Sequence, residues 1–250
     1  MLPNNDHTCC WINELPKRTG INKFEGKTSC DWIIVGAGYT GLSAARQLGN
    51  MNPNMNIVVI DAEVAGEGAS SRNSGYLVES TMNDGFVSSK NTEDYKTKCD
   101  LYSLGIEKVK KFITQHQVDC DWNECGKYYA SSKIEDEKKL TRFSSILSSL
   151  KIKNQILYKD DLQNKLGTEF YKIGIYTNGG ILLNPAKLAR SMVDSLPENV
   201  TLYENSPLLK WETINKKINC TLSSGTINAS SIIFCTNGFL SSLDIESHYS

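Results

Sequence analysis

Apolar and polar positions along this chain repeat with two periods, and the places where the period changes mark its elements. "DWIIVG" (31–36) is short, apolar and β-branched, the pattern of a buried strand. "GAGYTG" (36–41) turns the chain, and "LSAARQLGN" (42–50), rich in Ala and Leu, continues as a helix. After the loop "MNPNMN", "IVVIDA" (57–62) forms a second buried strand. Strand, glycine turn, helix, strand is the opening of a doubly wound α/β sheet. Residues 1–30, with Pro3, Pro16 and scattered glycine, read as an irregular lead-in.

Further along, residues 93–117 predict a long helix with Leu101, Leu104, Val109, Phe112 and Ile113 on its apolar face. "GKYYAS" (126–131) predicts a strand, 134–150 a second helix, "DDLQNKLG" a short one, and "FYKIGIYT" (170–177) a strand. In "NPAKLARSMVDSL", Asn184 is placed to cap a helix and Pro185 to open it. From residue 199 the chain turns to strands: "NVTLYE", "LLKWETI", "KINCTLSS" and "TINASSIIFCT". No repeat or low-complexity segment interrupts this order.

The first turn carries the chemistry. Gly36, Gly38 and Gly41 form G-x-G-x-x-G directly after a strand and at the mouth of a helix. The first glycine permits the tight turn, the second lets a pyrophosphate approach the backbone, and the third lets helix and strand pack closely. The helix N-terminus then offers N–H groups and a partial positive charge to phosphates. Asp61 lies 20 residues after Gly41, at the end of the second strand, where a carboxylate accepts from a ribose hydroxyl. A nicotinamide-binding domain would move on to another βα unit. Here the chain gives "AEVAGEGASSRNSGYL" instead, where Ser hydroxyls, backbone N–H groups and the fixed charge of Arg72 can lie along a pyrophosphate and a flavin edge.

Composition excludes other classes. The net charge is −1 with lysines and glutamates interspersed, which leaves no basic footprint for nucleic acid. No apolar run is long enough to span a bilayer, and the N-terminus lacks an apolar h-region. The eight cysteines make no C-x-x-C pair and no histidine joins them in a ligand pattern, so no metal site is expected; reduced thiols in a cytoplasm are. His116 reads as a surface residue at a helix end, Trp122, Tyr128 and Tyr129 as core aromatics, Cys235 as a small buried hydrophobe, and "NVT", "NCT" and "NAS" as chance matches to the glycosylation pattern.

"WIIVGAGYTGLSAARQL" followed by "IDAEVAGEGASSRNSG" resembles the D-amino-acid-oxidase-type FAD-dependent oxidoreductases, and within them the gamma-glutamylputrescine oxidase-like branch. "WINELP", "VDCDWNECGKYYAS", "NGGILLNPAKLARSM", "YENSPLLKWE" and "SSGTINASSIIFCTNGF" resemble successive segments of the same branch. The resemblance implies a Rossmann-like FAD domain at 31–90 and 197–250, with part of an α+β substrate domain interleaved at 91–196. It implies FAD contacts from Gly36, Gly38, Tyr39, Thr40, Gly41, Asp61 and Ala62, from Ser70, Ser71, Arg72 and Asn73 of the flavin loop, from Pro207 and Leu208 on the adenine side, and from Thr236, Asn237 and Gly238 of a second turn. The implied reaction oxidises a C–N bond: an amine or amino acid gives a hydride to the flavin, and oxygen or another acceptor reoxidises it. A neutral amine needs no obligatory base, so no catalytic residue is assigned. Other readings keep the fold but change the outcome: a sarcosine oxidase or D-amino-acid dehydrogenase relative, or an inactive fragment or subunit.

Two departures stand out. "RNSG" occupies a place where the branch often has two glycines, so the Cβ of Ser74 tightens backbone approach there. The chain also ends at "SLDIESHYS", soon after the second cofactor turn, where family members continue. The substrate sheet is therefore expected to be C-terminally incomplete, with weak FAD binding and little turnover by this chain alone.

Overall fold

A computed structural model describes Pro3, Asp6 and residues 8–80, 92–243 and 245. In chain order the elements are α1 (Cys10–Asn13), β1 (Gly26–Val35), α2 (Tyr39–Met51), β2 (Ile57–Ile60), β3 (Tyr76–Val78), α3 (Thr92–His116), β4 (Lys127–Ser131), α4 (Glu137–Ser149), β5 (Asn154–Tyr158), α5 (Lys159–Leu166), β6 (Ile173–Thr177), β7 (Gly180–Leu182), α6 (Pro185–Asp194), β8 (Val200–Tyr203), β9 (Leu208–Ile214), β10 (Lys217–Leu222) and β11 (Gly225–Phe234). Short 3₁₀ segments lie at Ala69–Ser71, Ile134–Asp136 and Asn237–Leu243. The chain divides into two compact units, 1–74 with 184–250, and 75–183. No helix among the described residues is long and apolar enough to cross a membrane.

The first unit is a six-stranded sheet of order β8-β2-β1-β11-β10-β9. β8, β2, β1 and β11 run parallel, and β10 and β9 return antiparallel. Ile57–Ile60 is apolar and buried on both faces, as a central parallel strand must be. Ile33, Val35, Val58, Ile60, Leu208 and Ile227 build the core on one face. Leu42 and Ala45 of α2 are fully buried, as are Ile34 and Val59 of the strands it packs against. Burying each such Leu or Ile contributes roughly 1.5–3 kcal/mol.

β1 begins at Gly26, five residues before the stretch that its apolar run marks. "GKTSC" is polar because these residues pair only with 225–229 of β11, while β2 joins from Trp32 onward. The lead-in is therefore part strand. The compact units meet after Ser74 and after Leu183. α6 explains the second of these. Asn184 accepts from the N–H groups of Ala186 and Lys187, both at 3.1 Å, and the helix packs on α2 and the turn at Ala69–Ser71.

The second unit carries a three-stranded antiparallel sheet, β4-β6-β5, and the ribbon β3-β7. Phe143, Leu147, Ile173 and Ile175 form its core with Tyr95 and Cys99 of α3. α3 corrects one expectation: Leu101 and Leu104 are 61% and 47% exposed. Tyr95 and Cys99 set the inward face, and Leu101 falls away from their line at 100° per residue. Gly167 closes α5 at φ 70°, a left-handed cap that glycine adopts freely. Phe170, expected in a strand, lies before β6 and is exposed.

Candidate functional site

One cavity of about 1260 Å³ lies within the first unit, above the roughly 300–1,000 Å³ of an ordinary small-molecule site. Four segments supply most of its lining. The β1–α2 turn supplies Gly36, Gly38, Tyr39 and Thr40, and the end of β2 supplies Asp61, Ala62 and Glu63. The loop beyond supplies Gly66, Gly68, Ser70, Arg72 and Asn73. The β11 end and the 3₁₀ segment after it supply Thr236, Asn237 and Gly238, with Leu208, Leu209 and Leu243 as apolar wall.

The turn is tight enough that glycine is required at its ends. Gly36 has φ 102°, and a Cβ there would stand 2.6 Å from the Cys235 carbonyl oxygen. A Cβ on Gly41 would overlap the carbonyl oxygen of Gly36, so Gly41 serves the packing of helix on strand and does not line the cavity. A Cβ on Gly38 would meet the Ser70 hydroxyl at 2.8 Å. That hydroxyl accepts from Tyr39 N–H at 2.9 Å, which ties the loop to the first turn of α2.

Asp61 is fixed by backbone donors. Its Oδ2 accepts from Ala37 N–H at 2.6 Å and its Oδ1 from Glu63 N–H at 2.9 Å. Burial pushes its carboxyl up from the ordinary value, the two N–H bonds oppose this, and the charges of Glu204 and Glu63 add to it. Each oxygen keeps a lone pair, so the group can accept from a hydroxyl as well.

Two loop residues are held by protein partners. Ser71 is fully buried and its hydroxyl donates to the Gly66 carbonyl, so it stabilises the loop from within and does not line the cavity. Arg72 lines the cavity but is already engaged: Nε donates to Glu67 O at 2.8 Å, and the two terminal nitrogens donate to Asp6 Oδ1 at 2.8 Å and Asp6 O at 2.7 Å. Asn73 donates to the carbonyls of Ala69 and Ser70. Pro207 stands between two lining residues, Ser206 and Leu208, without lining the cavity itself.

Sequence reasoning missed the support of this site. Glu204, at the end of β8, is 2% exposed, accepts from Ala65 N–H at 2.8 Å and pairs with Arg18 of the lead-in. Glu67 pairs with Arg190 of α6 at 3.0 Å. Neither pair has a local pattern, because its members lie 186 and 123 residues apart. Glu63, Gly66 and Gly68 were legible as neighbours of the named residues. Buried Thr236 Oγ1 has no hydrogen-bond partner among the described residues.

The chain is 27% identical over 221 residues to gamma-glutamylputrescine oxidoreductase of Escherichia coli (strain K12), covering 85% of this chain and 50% of that protein. It is 25% identical over 239 residues to probable oxidoreductase OrdL of Rhizobium meliloti (strain 1021), covering 92% and 54%. It thus spans about half the length of these curated relatives. Glycine oxidase from Geobacillus kaustophilus shares the fold at TM-score 0.71 and 17% identity, over 83% of this chain and 55% of that one. L-amino acid deaminase from Proteus vulgaris does so at 0.72 and 18%, over 90% and 53%. Residues 31–247 match the FAD dependent oxidoreductase (DAO) family, and the chain belongs to that family.

Proposed function

We propose that this chain binds FAD in the cavity of its first unit and serves the oxidation of a C–N bond in an amine or amino acid. The observation that carries the reading is the convergence of the α2 N-terminus, Asp61, the 66–73 loop and Thr236–Gly238 on one large cavity. The residues present fit the cofactor. Without Cβ atoms, Gly36 and Gly38 let the β1–α2 turn close against Cys235 and Ser70 at the cavity wall, and the buried Thr236 hydroxyl, which has no partner among the described residues, is open to a polar group.

The N-terminal turn of α2 directs N–H groups and a partial positive charge to phosphates. Asp61 accepts from ribose hydroxyls while Ala37 and Glu63 hold its orientation. Ser70, itself an acceptor for Tyr39 N–H, retains a hydroxyl proton to donate, and Arg72 keeps free donors for an anionic oxygen. Leu208 and Leu209 give the wall apolar surface. FAD, when bound, supplies the hydride acceptor. No side chain is assigned as acid or base.

The names of the relatives, gamma-glutamylputrescine oxidoreductase, glycine oxidase and L-amino acid deaminase, support an amine or amino acid as the substrate class. The finer reading is an amine of the gamma-glutamylputrescine type. The test is anaerobic mixing of the FAD-loaded chain with gamma-glutamylputrescine, sarcosine, glycine and D-alanine in turn. The reading expects bleaching of the flavin band by gamma-glutamylputrescine first. A flavin bleached by sarcosine, glycine or D-alanine in preference to gamma-glutamylputrescine would overturn it.

A further inference from the structure

Asp6, Cys9 and Trp11 of the lead-in hold three successive residues of the loop that lines the cavity. Cys9 Sγ donates to Ser71 O at 3.5 Å, Asp6 takes two donors of Arg72, and Trp11 Nε1 donates to Asn73 O at 3.0 Å. Further along, Pro16 O accepts from Arg190, and Arg18 reaches Ala65 O as well as Glu204. Pro3 lines the cavity itself. We infer that Asp6 and residues 8–18 are a strap belonging to the cofactor site, with Asp6 as a positioning residue that presents Arg72 to the cofactor's phosphates. This rests on the FAD reading above.

Two opposed effects decide the sign. Asp6 brings a negative charge near the expected phosphates, and the Thr8 N–H, the Arg72 guanidinium and the Thr8 hydroxyl hold its carboxyl down at about 2, so it is ionised at any working pH. Its side chain is 64% exposed, however, so solvent and salt screen that charge. Against this, an unrestrained arginine loses rotamer freedom when a ligand immobilises it. Asp6 and Glu67 have already ordered Arg72, using three of its five N–H groups and leaving two for the ligand. Ordering outweighs the screened repulsion. Strap docking and cofactor binding then support each other, and that coupling is reciprocal.

The test titrates FAD into the 250-residue chain, into Asp6→Ala, and into Asp6→Ala/Trp11→Phe, with limited trypsin cleavage at Lys17 and Arg18 as a second readout. Asp6→Ala is expected to weaken FAD about three- to five-fold, the upper range for an exposed ion pair, and the double variant about ten-fold. FAD is expected to slow cleavage at Lys17 and Arg18 in the parent chain and less so in the double variant. Asp6→Glu should restore most of the affinity. A parent chain that binds while both variants bind equally well, or more tightly, overturns the strap. A parent chain that binds no FAD overturns the site reading and the strap with it.

Discussion

Gly41→Ala should unfold the first unit more easily, although helix propensity alone argues the other way. Alanine is favoured over glycine inside a helix by about 1 kcal/mol, so without a steric conflict the variant would be more stable. The structure places the new Cβ against the Gly36 carbonyl oxygen, 3.0 Å from its carbon and 3.5 Å from Cys235 Cβ. Backbone stands on both sides of this contact, so no side chain can swing away. Non-bonded atoms settle at about 3.5–4.0 Å, which requires α2 to retreat from β1 by roughly 1 Å or more. Leu42 and Ala45, both fully buried, move with it. Overpacking costs about 1–3 kcal/mol and partial exposure of Leu42 adds about 1 kcal/mol, so after the propensity gain the net loss is about 1–3 kcal/mol. Urea denaturation followed by tryptophan fluorescence measures it, with Gly68→Ala as control. No described residue stands within 4 Å of the Gly68 Cβ position, and its substitution should stay within about 0.5 kcal/mol of the parent. A Gly41→Ala chain as stable as Gly68→Ala, or more so, would refute the close packing of helix on strand.

Three further outcomes are expected. Glu204→Gln keeps an oxygen for Ala65 N–H but leaves the Arg18 guanidinium, 15% exposed, without its counter-charge; a loss of about 2–4 kcal/mol is expected by denaturation, reduced when Arg18→Met is added. Burial raises the Asp61 carboxyl above 3.8, so its folding contribution is complete below 3.8 and is lost as pH rises through the raised value. Asp61→Asn should flatten that part of the stability-versus-pH curve, and an unchanged slope would contradict the burial. Burial likewise pushes the Cys30 and Cys220 thiols up to about 12, so both should resist iodoacetamide at neutral pH until urea unfolds the chain, while exposed Cys10 is alkylated at once in a mass-spectrometric time course.

What the sequence made legible is what short range determines. The apolar run of β2, the three glycines, Asp61 and the Asn184–Pro185 cap each carry their signal within a few residues. The strands from 199 onward were legible for the same reason. The polar start of β1 was not, since "GKTSC" becomes a strand only through its pairing with β11, some 200 residues away. β3 and β7 are three residues each, too short for a period to show, and were missed. At the site, Arg72 was readable as a cation beside the loop glycines, but its partner Asp6 lies 66 residues upstream in a segment with no pattern of its own. The inward turn of the Ser71 hydroxyl onto the Gly66 carbonyl has no local signal either, since the loop around it is held by Glu204 and Arg190 from distant elements.

The measurement that tests the central claim most directly is an equilibrium titration of the chain with FAD, followed by quenching of flavin fluorescence, with NAD run in parallel. Saturation at one FAD per chain, abolished by Gly38→Leu and untouched by excess NAD, is the result predicted by a cavity built from the α2 turn, Asp61 and the 66–73 loop. No saturable FAD binding, or equal binding by the Gly38→Leu chain, would contradict it.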